Sequence, residues 1–221
     1  MTTISAVIPT LNEAEGLEWL IPRLAKLPLD KIVVVDDNST DGTDLVVIRE
    51  RALWRKIMLL ERKDERGLSS AVRAGASICS SDYILTMDAD GQHDPEDARE
   101  MLEIAYTGNY DIVVGSRFAS GANLSGLSKR RQLLSRGLNF IANTRAQTKC
   151  SDPMTGFCIV RRDLLLQTQT NGFKFLYEIL FNTKANLTDR PIAFRPRLGG
   201  ESKASLKELT NLMKTPRWPN L

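Results

Sequence analysis

The chain has 221 residues, 42% hydrophobic and 26% charged, a globular composition long enough for one sizeable core. It holds no run of 18 apolar residues, no close cysteine pair among Cys79, Cys150 and Cys158, and one histidine, His93; this excludes a membrane-spanning helix, a disulfide scaffold, most structural zinc sites and any multi-histidine metal centre. The net charge of +3 conceals an asymmetry: residues 1–111 carry 12 Lys/Arg against 21 Asp/Glu, residues 112–221 carry 18 against 6, and between Asp111 and Asp152 no acidic residue occurs.

Residues 4–8 form an apolar, β-branched run that reads as a strand stopping at Pro9. Leu17, Leu20, Ile21, Leu24 and Leu27 recur at helical spacing, with Pro22 expected to kink or shorten the helix. Residues 32–35 make a second strand, apolar on both faces as a buried parallel strand should be. A polar turn over 36–42 leads to a helix reaching Arg51, then a strand over 57–60 and a small-residue helix over 69–79. A fourth strand over 83–87 ends in a carboxylate cluster, and a helix opens near Pro95 with Glu96 and Asp97 in its first turn. Residues 112–114 make a fifth strand. Beyond it, 116–128 read as a loop, 128–144 as a basic helix with Leu134, Leu138 and Ile141 on one stripe, and 157–160 and 192–195 as strands. A helix over 173–187 separates those two strands, and a short amphipathic helix is expected over 204–213. The alternation predicts an α/β fold with a mostly parallel sheet flanked by helices. A single domain over 1–221 is expected, its halves meeting near residue 115.

In open α/β sheets ligands bind beyond the carboxyl ends of the strands. Three polar clusters stand there: 9–13 after the first strand, 36–43 after the second and 88–93 after the fourth. Neither a GxGxxG nor a GxxxxGK[ST] loop is present, so phosphates must be held another way. Asp88 and Asp90, brought together by a turn, with Gln92 adding a neutral oxygen, suit Mg²⁺ or Mn²⁺ whose remaining positions are filled by substrate phosphate oxygens. The basic stretch with Arg117, Lys129, Arg130, Arg131, Arg136, Arg145 and Lys149 favours a phosphate ligand, a polyanion or an anionic membrane surface. Aromatic residues do not interleave with it, which disfavours a nucleic-acid binder.

These clusters in this order resemble the family-two inverting glycosyltransferases of GT-A fold. The further segments 114–118, 151–157 and 200–203 resemble the polyprenol-phosphate (dolichyl-phosphate) mannosyltransferases within that family. The resemblance implies a nucleotide site of Pro9, Thr10, Asn12, Glu13, Val35, Asp37, Gly67, Asp88 and Ala89, with Pro9, Asn12, Glu13 and Asp37 around base and ribose. It implies a divalent ion, Mg²⁺ or Mn²⁺, on Asp88, Asp90 and Gln92, and catalytic roles for Asp90 and Arg117. Arg117, Arg131, Ser135 and Lys203 would receive the acceptor phosphate, and Asp152 and the turn that follows it would lie near the sugar. Many relatives carry a basic residue just before the Gly-Glu-Ser-Lys segment. Here Gly199 stands there, and Arg197 is the candidate substitute.

The activity so implied is metal-dependent, inverting transfer of mannose, from GDP-mannose, to a polyprenyl or dolichyl phosphate. Glucose or an N-acetylhexosamine from a UDP-sugar is the alternative. A phosphate monoester is already a dianion at neutral pH and needs no general base, whereas bringing it beside a second anion needs arginines. A nucleotidyltransferase is disfavoured because residues 9–16 contain neither Lys nor Arg. With no signal-type N-terminus and no spanning segment, a cytoplasmic protein is expected. It would lie peripherally on the cytoplasmic membrane face, held by its basic helix or by a membrane-anchoring partner subunit.

Overall fold

The computed structural model describes residues 2–171, 175–197, 215, 217 and 218. In chain order the elements are β1 (Ile4–Thr10), α1 (Ala14–Leu24), β2 (Ile32–Asp36), α2 (Thr43–Leu53), β3 (Ile57–Glu61), α3 (Leu68–Ser77) and β4 (Tyr83–Thr86). There follow α4 (Pro95–Thr107), β5 (Ile112–Ser116), α5 (Lys129–Arg145), β6 (Cys158–Arg161), α6 (Arg162–Leu166), α7 (Phe175–Asn182) and β7 (Leu187–Pro191). The strands form one sheet in the order β3-β2-β1-β4-β6-β5-β7. All neighbours are parallel except β6, which runs antiparallel to β4 and β5.

Helices cover both faces of this sheet, so its central strands are apolar on both sides. Ile4, Ala6 and Ile8 of β1 point into one core with Leu17, Leu20 and Leu24 of α1 and Met101 of α4. Val7 points into the opposite core with Val33, Val72 of α3, and Leu176 and Ile179 of α7. All three cysteines are buried, and burial pushes the Cys158 thiol up to about 12; they are packing groups, not nucleophiles.

β1 continues through Pro9, where the sequence predicts a stop. The Ala6 amide donates toward β2, to the carbonyl of Lys31. By strand alternation the position of Pro9 faces β4, whose pairing ends at Val7↔Thr86. The missing N–H is therefore not needed, while Pro9↔Val35 and Thr10↔Asp36 extend the β2 side. Pro22 lies inside α1, which ends at Leu24 although the apolar pattern runs on to Leu27.

Two expectations in the second half are corrected. The helix predicted over 173–187 ends, within the described residues, at Asn182, and Leu187 begins a strand. The strand predicted over 192–195 is not one; only Ala193 makes an isolated parallel bridge, to Asn123. The true strand, β7, sits just upstream and, among the described residues, pairs with β5 alone. It is polar because it is an edge: Arg190 pairs with Asp97 at 2.6 Å and with Glu100, both on α4. The short helix α6 was not anticipated. The helix expected over 204–213 lies outside the described residues.

Candidate active site

The chain turns one way from β1 to β2 and the other way to β4, so the crevice at this switch point opens between the ends of β1, β2 and β4. The three polar clusters therefore meet. Asn12, in the left-handed region at φ 57°, ties the first loop to the second: its Oδ1 accepts from the Thr40 amide at 2.8 Å, and its own amide donates to Ser39 Oγ at 2.8 Å. The Thr10 hydroxyl donates to Asp36 Oδ1 at 3.2 Å.

Asp37 is held by a residue the sequence did not single out. Arg62, buried just beyond β3, donates from Nε and Nη2 to Asp37 Oδ1 at 2.8 and 2.6 Å, and the Gly67 amide donates to Oδ2 at 3.0 Å. Gly67 is obligatory here: its φ is 134° and a Cβ would stand 2.0 Å from the carbonyl oxygen of Asn171.

At the end of β4 the backbone folds over Gly91, so Asp88, Asp90 and Gln92 all reach one cavity. The Gln92 amide donates to Asp90 Oδ1 at 3.0 Å, and the Gln92 side-chain amide donates to the carbonyl of Arg195 at 3.1 Å. Asp88 takes no hydrogen bond among the described residues. Burial pushes its carboxyl above the usual range; His93 works against this and Asp90 with it. His93 lies buried, stacked on Phe157 at a ring separation of 4.7 Å and edge-on to Phe194. Burial lowers its pKa, and its Nδ1 has no partner among the described residues.

Arg117, just past β5, lines the same cavity. Asp152 clamps it through Nε at 2.7 Å and Nη2 at 2.9 Å, and Asn139 of α5 donates to the same Asp152 Oδ1 at 3.2 Å. Asp152 is fully buried. Asp152 fixes the arginine and does not itself line the cavity, whereas Met154, Thr155 and Gly156 of the turn that follows it do.

The cavity measures about 280 Å³. Of the residues singled out in the sequence, Pro9, Thr10, Glu13, Asp37, Gly67, Asp88, Ala89, Asp90, Gln92, Arg117 and Arg131 line it. Asn12, Val35 and Ser135 do not: Asn12 bonds the neighbouring loop, Val35 is core, and Ser135 lies one turn beyond Arg131 on α5. Lys203 lies outside the described residues. Sequence reasoning missed Arg66 and Phe194 of the lining.

The lining thus combines carboxylates from the β1, β2 and β4 ends with the guanidinium groups of Arg66, Arg117, Arg131 and Arg197. No group of three His, Cys, Asp or Glu side chains suited to a metal forms among the described residues. Two carboxylates, one lacking a hydrogen-bond donor among the described residues, and an amide form instead an open set of hard oxygens. That set fits Mg²⁺ or Mn²⁺ completed by ligand oxygens and does not fit a closed zinc cage.

The family described as Glycosyl transferase family 2 matches residues 5–168. A dolichol-phosphate mannosyltransferase of Pyrococcus furiosus is 35% identical over 219 residues, covering 96% of this chain and 62% of that protein. One of Mycosarcoma maydis is 31% identical over 216 residues, covering 90% and 72%. The chain therefore spans about 62% of the length of the first of these relatives. Among solved structures, glucosyl-3-phosphoglycerate synthase from Mycobacterium tuberculosis, in complex with Mn²⁺, UDP-glucose and phosphoglyceric acid, superposes with a TM-score of 0.69 at 19% identity, covering 96% of this chain and 76% of that one. The same synthase has been solved with Mg²⁺ and UDP. At that identity the likeness establishes the fold, which is that of the GT-A glycosyltransferases.

Proposed function

The chain belongs to glycosyl transferase family 2, and from that premise we propose that it transfers mannose from GDP-mannose to the phosphate of a polyprenyl acceptor, with inversion, giving polyprenyl-phosphate mannose. The observation that carries this reading is that the paired carboxylates Asp88 and Asp90 line the same cavity as Arg117 and Arg131. The names of the two mannosyltransferase relatives supply the sugar and the acceptor. The whole chain acts as one catalytic unit in this reading, with the donor side over about 1–115 and the acceptor side over about 116–221.

Pro9, Thr10, Glu13, Asp37 and Gly67 line the nucleoside end, where Asp37, oriented by Arg62, accepts hydrogen bonds from base or ribose. Asp88, Asp90 and Gln92 hold Mg²⁺ or Mn²⁺. When bound, the ion stabilises the charge that grows on the departing nucleoside diphosphate. Arg117 and Arg131 hold the acceptor phosphate against its repulsion from the donor, bidentate contacts suiting a guanidinium. That phosphate attacks the anomeric carbon as the dianion it already is, so no side chain has to remove a proton.

The acceptor's lipid tail requires a membrane surface. No helix among the described residues is long and apolar enough to cross one. The outward face of α5 meets the need: Leu133 and Phe140 are 75% and 72% exposed, with Leu134 and Ile141 beside them and Lys129, Arg130 and Arg136 along the same helix. Such a helix lies in the interface of an anionic leaflet, here the cytoplasmic one; a membrane-anchoring partner subunit is the alternative means of attachment.

A second reading, transfer of glucose from UDP-glucose, draws on the synthase solved with that donor. A screen of nucleotide sugars for transfer to polyprenyl phosphate, in detergent with Mn²⁺, separates the two. GDP-mannose is expected to label the lipid, a preference for UDP-glucose supports the second reading, and no label from any donor contradicts both.

A further inference from the structure

We infer that Arg197 is a counter-ion the chain itself supplies to the donor-site carboxylates, and that a divalent cation and Arg197 compete for Asp90. This rests on the metal reading above and adds to it a cation supplied by the chain itself. The Arg197 guanidinium places Nη2 2.7 Å from Asp90 Oδ2 and Nη1 3.4 Å from Glu13 Oε1. It thus bridges the first and third polar clusters across the mouth of the cavity it lines.

Packing builds this position. The segment before Arg197 is bonded to the carboxylate turn twice over: the Arg195 amide donates to the carbonyl of Gln92 at 2.9 Å, and the Gln92 side chain donates back to the carbonyl of Arg195 at 3.1 Å. Phe194 is buried edge-on against His93, and Arg195 pairs with Asp94. The guanidinium two residues later is therefore delivered to Asp90 by the same turn that presents the carboxylates.

Glu13, Asp88 and Asp90 line one small cavity and repel one another, and a guanidinium among them offsets that repulsion. A metal ion that takes Asp90 Oδ2 must displace Nη2. A nucleoside diphosphate brings the displaced Nη2 an anionic acceptor in place of Asp90. Metal and nucleotide then bind with positive coupling, each strengthening the other by the same factor. Metal alone binds weakly because Asp90 already carries a counter-charge.

Mn²⁺ titration of the full chain, followed by electron paramagnetic resonance with and without GDP, tests this. The wild type binds Mn²⁺ weakly alone and more tightly with GDP. Arg197→Ala binds Mn²⁺ alone about tenfold or more tighter, the worth of one charge-assisted hydrogen bond, and the enhancement by GDP shrinks. Arg197→Gln, which removes the charge and keeps most of the length, gives the same tightening if the alanine variant loses its fold. Mn²⁺ affinity unchanged or weakened in both variants, with binding still abolished by Asp90→Asn, overturns the competition and leaves the metal reading standing. Mn²⁺ binding that is absent in the wild type, or indifferent to Asp90→Asn, overturns both.

Discussion

Arg117 meets the cavity from a fixed position because Asp152, fully buried, takes two of its nitrogens and its backbone amide. Breaking a buried pair by neutralising one partner strands the other charge. Asp152→Asn is therefore expected to lower stability by about 3–5 kcal/mol in urea unfolding, and to lower turnover while the KM for the nucleotide sugar changes little. His93 gives a pH prediction. Burial lowers its pKa from the ordinary 6.5, while Asp88 and Asp90 pull upward and Arg117 downward, so the folded chain favours the neutral ring. The unfolded chain takes up the proton first as pH falls, so stability present above about 6.5 is lost below it. His93→Phe, which keeps the stack on Phe157, should flatten that acid limb in metal-free protein; an unchanged slope would assign it to other groups. At this scale the carboxylates and Arg117 were legible as residue types at strand ends. Arg62 was not, because its partner Asp37 lies 25 residues away and only the β2–β3 register brings them together.

At the scale of elements, the strands that build the site were legible because they are buried on both faces and so read as unbroken apolar runs. β7 was hidden by the opposite circumstance: an edge strand carries Asp189 and Arg190, and its neighbour Pro191 closes the ladder, so the apolar residues 192–195 drew the assignment instead. The fit of α1 to the site was equally invisible. A Cβ on Gly16 would stand 1.9 Å from the carbonyl oxygen of Ala89, so the helix backs directly onto the carboxylate turn. On α5 the expected stripe divides. Leu138 packs against the small core of Ala142, Met154, Tyr177 and Phe181, whereas Leu134 and Ile141 face outward with Leu133 and Phe140. A periodicity count cannot tell an inward stripe from an outward one when both are populated. Leu133→Ser with Phe140→Ser should leave thermal stability nearly unchanged, within about 0.5 kcal/mol as for other exposed sites. The same pair should sharply reduce co-sedimentation with anionic vesicles; undiminished sedimentation would point to attachment through a partner.

At the scale of the whole molecule, the charge asymmetry of the sequence is brought together in the lining of one cavity. The acidic half supplies Glu13, Asp37, Asp88 and Asp90, with Arg66 its one basic residue there, and the basic half supplies Arg117, Arg131 and Arg197. The sequence could show that the halves differ in sign; that they line one cavity depends on β6 and β5 returning beside β4, which no local pattern encodes. The central claim is that the carboxylates take the donor, and Arg117 and Arg131 the acceptor phosphate. The KM values for both substrates of Arg131→Ala, measured in one detergent transfer assay with Mn²⁺, test it most directly. The account predicts that the KM for polyprenyl phosphate rises by roughly 10- to 150-fold, the worth of a lost charge-assisted contact of about 1.5–3 kcal/mol, while the KM for the nucleotide sugar stays near the wild-type value. Equal rises in both, or a rise confined to the nucleotide sugar, would contradict it.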